Sequence, residues 1–268
     1  MNPSENKHRS IYIENERFLT RELWCGDPES GIYGRLFLPR DHQYGEKLPL
    51  VLFCHELFRT HESGISYGEE LAAKGFAVYT FDCRGASEES RSPGSMLNVS
   101  VMTCAEDLME VYREALTWNF TDPGRIAVIG ASQGAFSTAV AAGENTDAFA
   151  AIVLMYGAFV ILDDIKNMYS DRSSVPDPFS YRGWCMMGAR YLTDLWDFDK
   201  SVLGRYKGPV LILHGDDDPL VDPAYSQDIA KVYENCEFHM VRGGRHGFKK
   251  GAFAEAAEYI ERFLADYI

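Results

Sequence analysis

The stretch Arg125-Ile126-Ala127-Val128-Ile129-Gly130-Ala131-Ser132-Gln133-Gly134 decides the reading of this chain. A short apolar run passes directly into a Gly-x-Ser-x-Gly pentapeptide, and the small-residue stretch Ala135-Phe136-Ser137-Thr138-Ala139-Val140-Ala141-Ala142 follows. That is a strand, a tight turn and a helix in sequence form, with Ser132 at the apex and its hydroxyl presented to a cleft. The chain carries its own control. Gly64-Ile65-Ser66-Tyr67-Gly68 fits the same pattern, but the polar run Arg59-Thr60-His61-Glu62-Ser63 precedes it. Without a buried strand nothing strains the turn or aims the hydroxyl, so Ser66 reads as a serine of a loop or helix start.

Outward from the pentapeptide, apolar runs alternate with helical patterns. Strands are predicted at 10–20, 31–38, 50–54, 76–81, 125–129, 149–155, 209–213 and 236–241, and the turn-rich segment 26–31 joins the first two. Helices are predicted at 69–74 (closed by Gly75), 99–119, 223–234 and 252–267. The run 76–81 shows no polar alternation beyond Thr80, as a strand buried on both faces requires. Strands alternating with helices give the α/β class, with a mostly parallel, doubly wound sheet. One stretch breaks the rhythm. Roughly 50 residues separate the strands 149–155 and 209–213, far more than a normal connection. This stretch, 158–207, holds nine aromatic residues. It reads as a small lid inserted in a domain spanning 1–268, because it is too short to bury a core of its own. Long ordered insertions near the carboxyl ends of strands tend to cover a site.

Composition sets the outer bounds. With 268 residues, 46% apolar and 25% charged, the chain has ample material for a core. The net charge of −14 argues against nucleic acid or an anionic membrane as partner, since both reward clustered Lys and Arg. No run of about 18 apolar residues is present to span a bilayer, and the polar residues 1–10 lack the apolar centre of a secretory signal. The six cysteines are scattered without a C-x-x-C pair, as in a cytoplasmic protein with reduced thiols.

A serine hydroxyl is a weak nucleophile and needs a base, which in turn needs an orienting acid. In the α/β-hydrolases, whose strand–turn–helix serine the pentapeptide resembles, the three follow in the order serine, acid, histidine. His8, His42, His55 and His61 precede Ser132 and fail that order. His214 ends a predicted strand with no acid-bearing strand between it and Ser132, and His239 lies inside the strand 236–241. His246 sits in Gly243-Gly244-Arg245-His246-Gly247-Phe248, a loop just past the last strand and at the same rim as Ser132. His246 is therefore the expected base. The acid belongs on the loop after 209–213, where Asp216, Asp217, Asp218 and Asp222 compete and spacing does not choose. An oxyanion needs preorganised N–H donors. One comes from Gln133, next to the nucleophile, and the other from the loop after the strand 50–54.

Resemblance narrows these choices. His214-Gly215-Asp216-Asp217-Asp218-Pro219-Leu220-Val221 resembles the His-Gly-x-x-Asp-x-x-Val stretch of the α/β-hydrolase superfamily, which implies Asp218 as the acid. Asp216 and Asp217 then become turn-forming and surface carboxylates. Cys54-His55-Glu56-Leu57-Phe58 resembles the family's His-Gly-Phe-type loop, which implies the backbone N–H of Leu57 as the second oxyanion donor. The chain departs from that loop at Glu56, where the family has glycine. Glycine eases an unusual backbone conformation, so Glu56 implies strain there or another path for the loop. Gln133, the length of the lid and the closing His246-Gly247-Phe248 together resemble the bacterial feruloyl and cinnamoyl esterases. Dipeptidyl-peptidase-like and acylaminoacyl-peptidase catalytic domains are near relatives, but their extra N-terminal propeller has no counterpart in this sequence.

Other chemistries lack their motifs. His55-Glu56 begins like H-E-x-x-H, yet position 59 is Arg59. No Walker loop and no dinucleotide fingerprint call for a cofactor. Asp216–Asp218 read as a turn rather than a metal site, and Cys54 and Cys83 as core thiols. The expectation is a carboxylic ester hydrolase acting on a small-molecule ester through an acyl-enzyme, with hydroxycinnamate and short-chain esters as substrates. Two alternatives stand beside it. One is a peptidase of the same fold, with Asp163, Asp164, Asp194, Asp197 and Asp199 available to hold a free amino terminus. The other is a non-catalytic ligand-binding protein that keeps the fold.

Overall fold

Alternating burial along the central strands builds the two faces of this molecule. The computed structural model describes residues 13, 14 and 16–268. The segment 1–10, with His8 and the beginning of the first expected strand, lies outside the described residues. In chain order the elements are β1 (Ile13–Glu14), β2 (Phe18–Cys25), β3 (Ile32–Pro39), β4 (Leu48–Cys54), α1 (Ile65–Ala72), β5 (Ala77–Phe81), α2 (Val101–Ala115), β6 (Thr121–Ala131) and α3 (Gln133–Glu144). Then follow β7 (Ala151–Met155), α4 (Ile161–Met168), β8 (Phe179–Tyr181), β9 (Cys185–Met187), α5 (Arg190–Thr193), β10 (Val210–Gly215), α6 (Pro223–Ala230), β11 (Cys236–Val241) and α7 (Gly251–Tyr267).

One sheet runs in the order β1-β2-β3-β5-β4-β6-β7-β10-β11. From β5 to β11 every pair is parallel, while β1, β2 and β3 join antiparallel at one edge. Leu50, Leu52, Ile126, Val128, Ile152, Leu154 and Ile212 face one way, against α2, α3 and α6. Val51, Phe53, Ala127, Ile129, Val153 and Leu211 face the other, against α1 and α7. The two-residue period is thus buried on both sides, and each buried Val, Leu, Ile or Phe among them contributes about 1.5–3 kcal/mol. Chain order reverses across β4 and β6: β5 follows β4 on one side, β6 on the other. A crevice opens at the carboxyl ends of strands where the order reverses, and Cys54 stands level with Gly130 there.

The mostly parallel doubly wound sheet expected from the sequence is present. The first strand is corrected: the long edge strand is Phe18–Cys25, displaced toward the turn, with Ile13–Glu14 paired to its beginning. Helix α2 starts at Val101, not 99, because Ser100 caps it: its Oγ accepts from the Thr103 N–H (3.2 Å), and Thr103 Oγ1 accepts from the Ser100 N–H (2.8 Å). Ser66 falls in the first turns of α1. Between β7 and β10 the insertion folds as α4, a short 3-10 turn (Arg172–Ser174), a β8–β9 hairpin, α5 and a second 3-10 segment (Lys200–Arg205). Its Phe159, Tyr181, Tyr191, Leu203 and Tyr206 are buried in the same apolar cluster as the α3 face of the sheet.

Candidate active site

Ser132 joins β6 to α3 at φ 53°, ψ −115°, a left-handed conformation for a side chain-bearing residue. Such a position costs on the order of 1–3 kcal/mol and persists only where its surroundings over-determine it. They do so here. The Ser132 N–H donates to the Met155 carbonyl (2.9 Å), and the Ser132 carbonyl accepts from the Ala158 N–H (3.0 Å). The flanking glycines have separate reasons. A Cβ on Gly130 would lie 2.6 Å from the Ala135 Cα, and one on Gly134 would run into the Cys54 and His55 carbonyls. Both let α3 sit directly on the ends of β6 and β4.

The loop after β10 and the loop after β11 bring the other two expected groups to the same rim. Ser132 Oγ donates to His246 Nε2 at 2.8 Å, and His246 Nδ1 donates to Asp218 Oδ2 at 2.8 Å. Asp218 is also held from its own loop, since Oδ1 accepts from the N–H groups of Leu220 (2.8 Å) and Val221 (3.1 Å). Burial opposes its ionisation. Hydrogen bonds from His214 and His246, the His246 charge and the Leu220 N–H outweigh burial and hold the carboxyl well below the ordinary carboxylate range. The remaining candidates fall elsewhere. Asp216 Oδ1 accepts from the Gly243 N–H (2.6 Å), Asp217 lies 3.9 Å from Arg245, and Asp222 caps α6. His239 stacks on Tyr259 on the edge strand, and His61 bonds Asp82.

Leu57 and Gln133 both line the cleft at this rim, and neither backbone N–H is used in a turn or loop hydrogen bond. Of the two outcomes expected at Glu56, backbone strain is not the one found there: the positive φ of this loop falls on Phe58 (64°). His55 staples the loop. Its Nε2 accepts from the Cys83 N–H (3.0 Å) and its Nδ1 donates to the Glu56 carbonyl (2.6 Å), with burial driving its pKa down and so favouring the neutral ring this pattern needs. The Phe58 N–H closes the loop on the Ala86 carbonyl at 2.8 Å.

Three contributors escaped the sequence reading. His214 is fully buried; its Nε2 donates toward Asp218 Oδ2 (3.1 Å) and its Nδ1 accepts from Ser226 (2.6 Å), so it braces the acid. Its place at the head of the His-Gly-x-x-Asp stretch was the available signal. The Gln133 side chain accepts from Tyr191 of the insertion (2.9 Å) and donates to Cys104 (3.4 Å), tying the insertion to the residue beside Ser132. Tyr156 packs its ring 5.1 Å from the His246 ring and donates its hydroxyl to Glu56 Oε1 at 3.0 Å. No local pattern announces a pair a hundred residues apart. The cleft itself has a volume of about 1090 Å³, and Tyr181, Trp184 and Tyr191 bring aromatic surface to it from the insertion. Such an arrangement can draw a proton from a hydroxyl and hold a developing oxyanion.

Residues 66–268 match the prolyl oligopeptidase family. The chain belongs to that family. It is a serine hydrolase with the α/β-hydrolase fold. The match takes in Ser132, Asp218 and His246 but begins after the loop 55–58. Among solved structures, Est1E from Butyrivibrio proteoclasticus is similar at a TM-score of 0.79 and 20% identity, over 91% of this chain and 98% of that one. The same protein with ferulic acid bound gives 0.78 at 21%, over 96% and 99%. An acetyl xylan esterase from Paenibacillus sp. R4 gives 0.68 at 15%, over 97% and 88%. At these identities the likeness speaks to the fold.

Proposed function

We propose that the protein hydrolyses carboxylic esters of small molecules, with Ser132 as nucleophile, His246 as base and Asp218 as acid. The observation that carries this reading is the hydrogen-bonded series Ser132–His246–Asp218 opening on a cleft beside two unused N–H groups. Ser132 Oγ bonds to the carbonyl carbon as its proton passes to His246 Nε2. The carbonyl oxygen becomes an oxyanion facing the N–H groups of Leu57 and Gln133, each worth roughly 10²–10³ in rate. Asp218 holds the imidazole and stabilises its charged form. As the C–O bond breaks, His246 returns the proton to the departing alcohol and leaves the acyl group on Ser132. Water then gives a proton to His246 and its oxygen to the carbonyl carbon. The Ser132–carbon bond breaks, Oγ regains the proton, and the acid is released.

Residues 158–207 act in this reading as a lid within the domain 1–268. Only part of their aromatic surface faces the cleft, and that part suits an apolar or aromatic acyl group. Hydroxycinnamate esters fit, and Est1E binds ferulic acid. The aspartates named for the peptidase alternative are placed elsewhere: none of Asp163, Asp164, Asp194, Asp197 or Asp199 lines the cleft, whose acids are Glu56, Glu62, Glu88 and Glu89. Asp163 accepts from Tyr225, Asp164 pairs with Arg182, Asp194 accepts from Ser100, and Asp199 accepts from Ser201. Among the described residues no helix is long and apolar enough to cross a membrane. The six cysteines are free, which supports a cytoplasmic setting. A panel of p-nitrophenyl acetate, methyl hydroxycinnamates and aminoacyl p-nitroanilides tests the reaction class. Esters are expected to turn over and the amides to lag far behind; amides hydrolysed as fast as the esters would transfer the reading to peptide bonds.

A further inference from the structure

Two buried polar atoms in the cleft are left without partners by the proposed ester chemistry. Glu56 lines the cleft with its Oε1 engaged by Tyr156, while its Oε2 is buried and has no hydrogen-bond partner in the protein. Tyr67, 5% exposed and also on the cleft wall, has a buried hydroxyl with no partner. The two line the same cleft, where burial first and then the Glu56 charge push the Tyr67 phenol up. Each side chain has packing or hydrogen-bond partners of its own. Tyr67 stacks on Phe53 (5.6 Å) and packs on Phe253 (4.9 Å), while Glu56 is held by Tyr156 and by the loop that His55 staples. A buried donor or acceptor left unsatisfied costs stability, so a pair of them facing one cleft calls for a third group.

The surroundings say which part of a substrate supplies that group. On the ester reading, on which this inference rests, His246 must return its proton to the departing alcohol, so the alcohol stands against His246. Tyr156 packs on that imidazole and holds Glu56. The chemistry of the pair then selects the ligand. A carboxylate oxygen only accepts, whereas a phenol both donates and accepts. An ammonium group would satisfy Glu56 but offer nothing to the Tyr67 O–H. A hydroxyl donates to Glu56 Oε2 and accepts from Tyr67 Oη at once.

We propose that Glu56 and Tyr67 recognise a free hydroxyl on the alcohol half of the ester, so that preferred substrates are monoesters of diols and polyols. The residue that departs from the family's glycine is, on this account, a specificity residue, and Tyr67 is its partner. The test compares 2-hydroxyethyl cinnamate with ethyl cinnamate, which differ by that hydroxyl alone, in the full-length wild type and in Tyr67→Phe and Glu56→Gln. The ratio of the two kcat/KM values is expected to favour the hydroxyethyl ester by about tenfold or more, as sites built around a hydroxyl do, and to fall toward one in both variants. A purely structural role would slow both esters alike and leave the ratio where it was. Tyr67→Phe removes no existing hydrogen bond and should melt at or above the wild-type temperature, which keeps the comparison interpretable. A wild-type ratio near one, or a ratio that either substitution leaves unmoved, overturns the assignment. Hydrolysis of neither ester by the wild type is a different result: it brings down the ester reading itself, and this assignment with it.

Discussion

The chain contains the same pentapeptide pattern twice, and the two copies do opposite things. At 130–134 it turns a buried strand into a helix, and Ser132 sits at φ 53° in the turn between them. At 64–68 it follows a 3-10 turn and runs straight into α1, so that Ser66 is an exposed helical residue. The glycines are needed for contact in both. Side chains at Gly64 and Gly68 would meet Phe53 and Phe37, as those at Gly130 and Gly134 would meet α3 and the end of β4. What differs is the backbone of the serine, and that follows from the strand upstream. The second copy still serves the cleft through Tyr67, the residue after its serine.

Five substitutions sharpen this contrast. Ser132→Ala should lower kcat toward p-nitrophenyl acetate by on the order of 10⁶-fold with the fold intact, while Ser66→Ala stays within a few-fold of wild type; steady-state assays beside circular dichroism check both. Asp218→Asn should cost about 10⁴-fold, because the amide no longer fixes the imidazole tautomer. The smallest effects are in stability and have opposite signs. Ser132→Gly relieves the left-handed strain and should stabilise by about 1 kcal/mol. Ser66→Gly, in a helix, should destabilise by about 0.5 kcal/mol. Urea unfolding resolves the signs, and a Ser132→Gly variant less stable than wild type would contradict the strain argument.

The legible parts of the molecule were those whose cause is local. Buried central strands such as β4 and β7 carry nearly uninterrupted apolar runs, and the β6–α3 turn carries its own glycines. His246 was found because loops at the carboxyl ends of parallel strands gather at one rim, whereas Asp218 was singled out among four neighbouring aspartates only by the resemblance of His214–Val221 to the α/β-hydrolase stretch. The edge strand β2 was misplaced because Arg21 and Glu22 interrupt its pattern, as an edge permits. The hairpin and helices of the insertion were not resolved in advance. Their burial is set by packing on the α3 face of the sheet rather than by their own period. Glu56, Tyr67 and Tyr156 belong to three separate segments, and only the fold brings them together.

The claim that everything else rests on is that the hydroxyl of residue 132, alone among the serines, is activated by the imidazole beside it. Treating the folded protein with a fluorophosphonate probe and mapping the adduct by peptide mass spectrometry measures this directly. One equivalent of label on the peptide carrying Ser132, lost in the His246→Ala variant, is the predicted result. Label on Ser66, or no label on folded protein, contradicts it.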